Sequence, residues 1–88
     1  MVSKYIISEV LDSDTKERSI LFWYRVGKEC EIDDNSIRVG HTLVVMHPDG
    51  AFFITTPILK INKVDEGIWV FTDNRIYKFI KVGDYIDE

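Results

Sequence analysis

The amino-acid sequence predicts an all-β fold, a small antiparallel barrel or sandwich of about six to seven short strands. Strand-length runs rich in β-branched and aromatic residues are separated by turn residues, and none shows the 3.6-residue period of an amphipathic helix. Closure is the simplest way for so short a chain to remove its sheet edges, so we expect a barrel of the SH3-like or OB-like kind. The predicted strands are residues 5–11, 19–26, 42–47, 51–56, 58–64, 68–72 and 75–82.

Length and composition predict one small domain, residues 1–88. Of these residues 45% are hydrophobic and 30% are charged, which is the composition of a folded protein. The single cysteine, Cys30, excludes an internal disulfide, and the first residues lack the apolar segment of a signal peptide. No apolar run reaches the ~18–20 residues that span a bilayer. We therefore expect a cytoplasmic protein that does not associate with membranes.

The segment Pro48-Asp49-Gly50 predicts a three-residue hairpin loop with Gly50 in the left-handed conformation of a G1 bulge. This loop places His47 opposite Ala51 and fixes the pairs that precede it. Those pairs are Met46–Phe52, Val45–Phe53, Val44–Ile54 and Leu43–Thr55. We assign one face of the hairpin to the core and the other to the surface, and a register error of one residue would exchange them. The residues assigned to the core are Val44, Met46, Phe52 and Ile54.

A second hairpin is predicted at Asp65-Glu66-Gly67, which has similar loop chemistry. In this register Lys63 lies opposite Trp69, and Ile61 lies opposite Phe71. The pair Asp73-Asn74 then closes a two-residue turn onto the last strand, which completes a meander of three strands over residues 58–82.

Both hairpin faces are apolar, so part of the second face must be covered by something other than the core. Along residues 19–26, the alternation of side chains directs Leu21 and Trp23 outward. We therefore predict a partner-binding surface for another protein or for a second copy in a homo-oligomer. Its candidate residues are Leu21, Trp23, Leu43, Val45 and Phe53.

Four acidic residues within positions 29–34 predict an electrostatic patch that attracts a basic partner. They are Glu29, Glu31, Asp33 and Asp34. Together with the exposed aromatic residues, this patch favours a non-enzymatic protein-interaction module, either a homodimer or a small accessory or inhibitory protein. Within the same class, an acidic mimic of nucleic acid that occupies a basic cleft is an alternative.

The sequence gives no support for catalysis, for a metal site or for a cofactor. His41 and His47 are separated by about 20 Å on an extended chain at ~3.3 Å per residue, and no paired ligand spacing accompanies them. Glu29 and Glu31 flank Cys30 and oppose formation of its thiolate. Nucleophile motifs and glycine-rich phosphate loops are missing from the sequence. We therefore predict that the protein is not an enzyme and holds neither a metal nor a cofactor.

An OB-like domain that binds single-stranded nucleic acid is the alternative from a different class. Aromatic residues beside basic ones suit base stacking, and two segments offer them: Trp23 with Arg25, and Tyr77 with Arg75, Lys78 and Lys81. However, 11 basic residues against 15 acidic ones give a net charge of −4, which repels a phosphate backbone. Net charge therefore disfavours nucleic acid as the partner.

Overall fold

The computed structural model describes residues 2–19 and 25–84, and this part of the chain forms one antiparallel sheet of seven strands. The all-β prediction is confirmed. A 3-10 turn, Asp34–Ser36, follows the second strand, and no helix in the described ranges is long and apolar enough to cross a membrane. The strands are β1 Val2–Asp12, β2 Glu29–Asp33, β3 Val44–Met46, β4 Phe52–Ile54, β5 Lys60–Val64, β6 Gly67–Phe71 and β7 Arg75–Asp84.

The sheet is strongly coiled but not closed into a barrel. Its strand order is β4-β3-β2-β1-β7-β6-β5, so β4 and β5 form the two edges. Four strand steps separate β4 from β7, about 19 Å in a flat sheet at ~4.8 Å per step. Nevertheless, the ring of Phe53 on β4 stacks on the ring of Tyr77 on β7 with 5.9 Å between centroids. The sheet therefore curls over one core, which gives a sandwich-like arrangement.

β1, the long central strand, and its neighbour β7 provide the curvature, because each carries one extra residue in the ladder between them. β1 pairs with β2 on one side and with β7 on the other. The register of the β1–β7 pair shifts between Lys4 and Tyr5 and again between Ile7 and Glu9. Extra residues of this kind bend a strand and increase its twist. The two shifts thus let one sheet enclose its own inner face.

The core consists of the inward side chains of the curled sheet and of two residues from connecting segments. Four aromatic rings run through it: Tyr5 contacts Phe79 at 6.0 Å, Phe79 stacks on Tyr77 at 6.3 Å, and Tyr77 stacks on Phe53. Each such contact contributes about 0.5–1.5 kcal/mol beyond the burial of its area. The remaining buried members are Ile7, Val10, Cys30, Ile32, Leu43, Val45, Ile58, Ile68 and Val70.

The predicted register of the β3–β4 hairpin is confirmed. The N–H of His47 donates to the carbonyl of Ala51 at 2.7 Å, and the N–H of Gly50 donates to the carbonyl of His47 at 3.0 Å. Gly50 has a φ of +93°, as a left-handed loop residue requires. The strand pairs are Val44–Ile54, Val45–Phe53 and Met46–Phe52.

The assignment of faces in this hairpin was wrong, because Leu43 and Val45 are fully buried. The pairing of β3 with β2 explains the inversion. Met46 lies opposite Glu31, whose neighbours Cys30 and Ile32 point into the core, so Met46 must point outward. The exposed residues are instead those that we had assigned to the core: Val44, Met46, Phe52 and Ile54.

The second hairpin forms with a register one residue away from the predicted one. Asp65 and Glu66 alone make the turn, and Val64 pairs with Gly67. As a result Asn62 lies opposite Trp69, and Ile61 opposite Val70. Favoured two-residue hairpin loops require residues with positive φ, which a glycine in the loop signals. Neither Asp65 nor Glu66 has a positive φ, so this two-residue loop carries no such signal, and the prediction placed Gly67 in the loop.

The last hairpin turn is as predicted, since the N–H of Thr72 donates to the carbonyl of Arg75 at 2.9 Å across Asp73-Asn74. The predicted strand at 19–26 falls largely on residues 20–24, which lie outside the described residues. β2, by contrast, was not predicted as a strand.

Replacement of Gly50 by valine tests the β3–β4 loop. A β-branched side chain at a φ of +93° is strained, so Gly50→Val should lower the free energy of unfolding by about 1–2 kcal/mol in urea denaturation. Gly83→Val is the matched control, because a Cβ at Gly83 meets open space and its φ is not positive. Equal stabilities of the two variants would contradict the loop conformation.

Substitution of Gly67 tests how closely β6 approaches its neighbour β7. A Cβ on this residue would overlap the carbonyl oxygen of Phe79 and approach the Cα of Ile80 to 2.9 Å, and both are backbone atoms that cannot rotate away. We expect Gly67→Ala to destabilise by about 2–3 kcal/mol, as overpacking does. Gly83→Ala serves as the control in the same denaturation experiment. An unchanged free energy of unfolding in Gly67→Ala would mean that β6 and β7 lie farther apart.

Candidate protein-interaction surface

Four large apolar side chains are exposed together on the outer face of the β3–β4 hairpin, and we call them the hairpin patch. They form two neighbouring cross-strand pairs, Val44–Ile54 and Met46–Phe52. Their exposed fractions are 40% for Val44, 46% for Met46, 56% for Phe52 and 57% for Ile54. A contiguous apolar group of this kind on a small domain is typical of a contact surface.

Hydrogen bonds from the following segment hold the hairpin in place. The N–H of Thr55 donates to the carbonyl of Leu43 at 2.9 Å, and the N–H of Leu43 donates to Oγ1 of Thr55 at 2.9 Å. Beyond them the N–H of Ile58 donates to the carbonyl of His41 at 2.9 Å. These bonds, with the buried side chains of Leu43 and Ile58, make the hairpin patch a fixed surface.

The patch borders an open sheet edge. Hydrogen-bonded pairs alternate along an antiparallel ladder, and the bonds at His47–Ala51 and Leu43–Thr55 place Val45–Phe53 in the bonded set. The N–H and C=O groups of Phe52 and Ile54 therefore point away from β3. β4 is the outermost strand of the described sheet, so this side of the ladder pairs with no other strand there.

His47 fastens the hairpin turn to β2. Its ring is buried, and Nδ1 lies 2.8 Å from the carbonyl oxygen of Glu29. Because a carbonyl oxygen only accepts, Nδ1 carries the proton and donates it. Nε2 is buried and has no hydrogen-bond partner in the described part of the chain. The bond thus links the hairpin turn to β2.

Acidic side chains flank the patch on the β2 side. Cys30 and Ile32 point into the core, so Glu29 and Glu31 project from the outer face. Glu31 lies between Met46 on β3 and Lys4 on β1. One of the predicted acidic residues, Glu31, thus borders the hairpin patch directly, and Glu29 lies on the same outer face two residues away.

The other two acidic residues support the turn after β2. The carboxylate of Asp33 accepts from the N–H of Asn35 at 3.0 Å and caps the 3-10 turn. Asp34 accepts from the hydroxyl of Ser3 at 2.7 Å and from that of Tyr5 at 3.5 Å. Both carboxylates therefore have a structural role in addition to their charge.

The structure separates the predicted partner-binding residues. Leu43 and Val45 belong to the core. Phe53 is half-buried, stacks on Tyr77, and has the guanidinium of Arg25 4.9 Å from its ring centroid. Leu21 and Trp23 lie outside the described residues. The alternation Glu-Cys-Glu-Ile-Asp in β2 is the sequence signal that identifies the outer face of the hairpin.

Two of the residues considered for nucleic-acid binding, Tyr77 and Lys78, are engaged by other side chains of the sheet. Tyr77 is buried and cannot stack on a base. The ammonium of Lys78 lies 4.1 Å from the ring centroid of Trp69 and 3.1 Å from the carboxylate of Glu9. The ammonium of Lys60 lies 5.4 Å from the ring centroid of Phe71. Each cation–π contact thus covers one face of a ring on which a base could otherwise stack.

Cys30 is a core residue with a protonated thiol. Burial, and secondarily the charge of Glu31, raise the pKa of the Cys30 thiol to about 12. The thiolate is the reactive form, so the residue is inert at neutral pH. Among the described residues, no group of three or more histidine, cysteine and acidic side chains is placed to hold a metal ion.

No protein-family model, curated protein or solved structure matches this chain. Its function is therefore inferred from the hairpin patch, the open edge of β4 and the acidic flank.

Thiol labelling tests the placement of Cys30. At pH 8 a maleimide should modify Cys30 at least about a hundredfold more slowly in the folded protein than in the urea-unfolded chain, as mass spectrometry can show. A Thr15→Cys substitution in a Cys30→Ala background is the control, because Thr15 is exposed and should label at the unfolded rate. Fast labelling of folded wild type would place Cys30 outside the core.

Proposed function

We propose that the protein is a small, non-enzymatic protein-interaction module that binds another polypeptide through the β3–β4 hairpin. The hairpin patch carries this proposal, because four large apolar side chains, each 40–57% exposed, share one face of the hairpin beside a strand edge that pairs with no described strand. An accessory or inhibitory role fits a module whose contribution is to occupy a surface of its partner.

Apolar contact supplies the driving force in this proposal. Removal of apolar surface from water contributes about 25 cal/mol per Å², and the patch presents its area in one plane. Phenylalanine and methionine are enriched in interfaces, and the thioether of Met46 adapts to an irregular partner surface. Phe52 and Met46 form the pair next to the loop, which makes them the proposed anchors of the contact.

The open edge of β4 can orient a bound segment through backbone hydrogen bonds. An extended segment beside Phe52 and Ile54 can bond to their outward N–H and C=O groups and lengthen the sheet by one strand. Main-chain hydrogen bonds then contribute affinity, and the neighbouring side chains contribute specificity. This mode needs little rearrangement, since the hairpin is already held by Leu43, Thr55 and Ile58.

Cys30 and the buried His47 both have structural roles, which supports a binding role for the protein over a catalytic one. The Cys30 thiol lies in the core, and Nδ1 of His47 is bonded to the carbonyl of Glu29. We place the module in the cytoplasm, where a lone cysteine stays reduced.

The second candidate is an acidic mimic of nucleic acid, favoured by the outer row of β2. Glu29, Glu31 and Asp33 follow one another at every second residue, a spacing of about 6.7 Å along a strand. A regular row of carboxylates on a chain of net charge −4 suits a basic cleft. Binding to such a cleft would be abolished by high salt, whereas apolar binding through the hairpin patch would persist.

Site-specific photo-crosslinking tests the proposed function. A photoreactive amino acid at position 54, in the chain expressed in its native cell, should give a discrete covalent adduct. The same amino acid at Thr15, an exposed loop residue far from β4 in sequence, should not. Phe52→Lys should abolish the adduct at position 54 while changing the free energy of unfolding by less than about 0.5 kcal/mol, because Phe52 is exposed.

Two results would count against the hairpin as the binding surface. One is the same adduct pattern at positions 15 and 54, and the other is an adduct that survives Phe52→Lys. An adduct that instead disappears in Glu29→Gln with Glu31→Gln, and in high salt, would favour the acidic mimic.

A further inference from the structure

We propose that the partner of the hairpin is a second copy of this chain, paired edge to edge through β4 about a two-fold axis at Phe53. The inference rests on the proposed function and names the occupant of the same surface. Three features favour self-pairing: the directions of the backbone groups, the side chains beside them and the distribution of charge.

The backbone of β4 is self-complementary. With Phe53 on the axis, Phe52 of one copy lies opposite Ile54 of the partner subunit, and the reverse pair is its symmetry mate. The outward N–H and C=O groups belong to these two positions, so each pair exchanges both of its possible hydrogen bonds. Phe53, whose groups bond to Val45, falls at the non-bonded position on the axis.

The side chains beside this edge are complementary in the same register. On the outer face, Phe52 meets Ile54 of the partner subunit, an aromatic and β-branched pair of the kind that stabilises antiparallel sheets. The two hairpin patches then become one continuous apolar strip across the joined sheets. Lysine, proline and bulges commonly protect edge strands, and the three residues of β4 include none of these features.

Charge permits two acidic copies to meet here. Residues 51–56 contain no ionisable side chain. Single carboxylates stand at the two ends of this segment, where Asp49 accepts from the N–H of Ala51 and Asp73 accepts from the hydroxyl of Thr56. The acidic row on β2 lies two strands inside the edge, so five strand steps, about 24 Å, would separate the two rows. This distance is about three Debye lengths at physiological salt, and repulsion between the rows is screened. The short edge also limits the contact area, so we expect a weak, reversible dimer.

Analytical ultracentrifugation of the purified full chain over a concentration series tests the proposal. The wild type should shift from monomer to dimer as concentration rises. Ile54→Ala should raise the dimer dissociation constant by about tenfold, because side-chain contact is lost at both symmetry-related sites. Ile54→Pro should raise it by on the order of a further tenfold to a hundredfold, because the outward N–H is lost as well.

Proline is tolerated where the N–H points away from the neighbouring strand, so the β3–β4 ladder should survive in Ile54→Pro. Circular dichroism and urea denaturation check that both variants fold. Amide hydrogen exchange of the wild type provides a test without substitution. The N–H groups of Phe52 and Ile54 should be protected from exchange only at high protein concentration. The N–H of Phe53 bonds to Val45 and should be protected at all concentrations.

The outcomes separate this inference from the proposed function. A wild type that stays monomeric at millimolar concentration, with a heterologous adduct at position 54, overturns self-pairing and leaves the module intact. Monomers without any adduct overturn both. The edge-to-edge geometry is overturned if Ile54→Ala and Ile54→Pro raise the dimer dissociation constant equally and the amides of Phe52 and Ile54 stay unprotected in the dimer.

Discussion

Curling of the sheet, which brings Phe53 onto Tyr77, determines how the rest of this protein is arranged. The two rings belong to strands four steps apart in the sheet, and they meet only because the sheet curls onto itself. Once curled, the sheet has a single enclosed face, and every strand must direct its alternate side chains to that face. The outer side of the β3–β4 hairpin is left without cover as a direct result, although its side chains are as apolar as those inside. The same curl thus encloses the core and leaves exposed the surface on which function is proposed.

The interaction surface combines three kinds of recognition on one short hairpin. Apolar side chains provide affinity, the outward backbone groups of β4 provide direction, and the carboxylates of Glu29 and Glu31 influence which partners approach. The supporting contacts are all on the inner side or in the loop. His47 fastens the turn to β2, and Thr55 continues the ladder past the end of β4. A partner therefore meets a surface whose conformation is already set, which limits the conformational entropy lost on binding.

The sequence predicted what depends on local chemistry and missed what depends on distant pairing. Pro48-Asp49-Gly50 determines the register of its hairpin through backbone conformations available within the loop, and the predicted pairs are correct. The inward face of that hairpin depends on β2, whose acidic residues concealed its alternation with Cys30 and Ile32. Asp65-Glu66 turns the chain without a glycine in the loop, so nothing local distinguished two loop residues from three. The predicted contact residues Leu43 and Val45 consequently lie on the buried face of the hairpin, and its exposed apolar side chains lie on the opposite face.

The absence of charge along residues 51–56 also matters when the chain is not folded. Six residues of high β-propensity without charge or proline have the composition of segments that stack in amyloid fibrils. Pro48 and Pro57 stand on either side of this segment. Proline has no N–H to donate to a neighbouring strand. Cross-β pairing that begins at Phe52 or Phe53 therefore cannot extend past Pro48 on one side or past Pro57 on the other. The two prolines are thus gatekeepers that confine an aggregation-prone stretch during synthesis, before β3 and the core have covered one side of it.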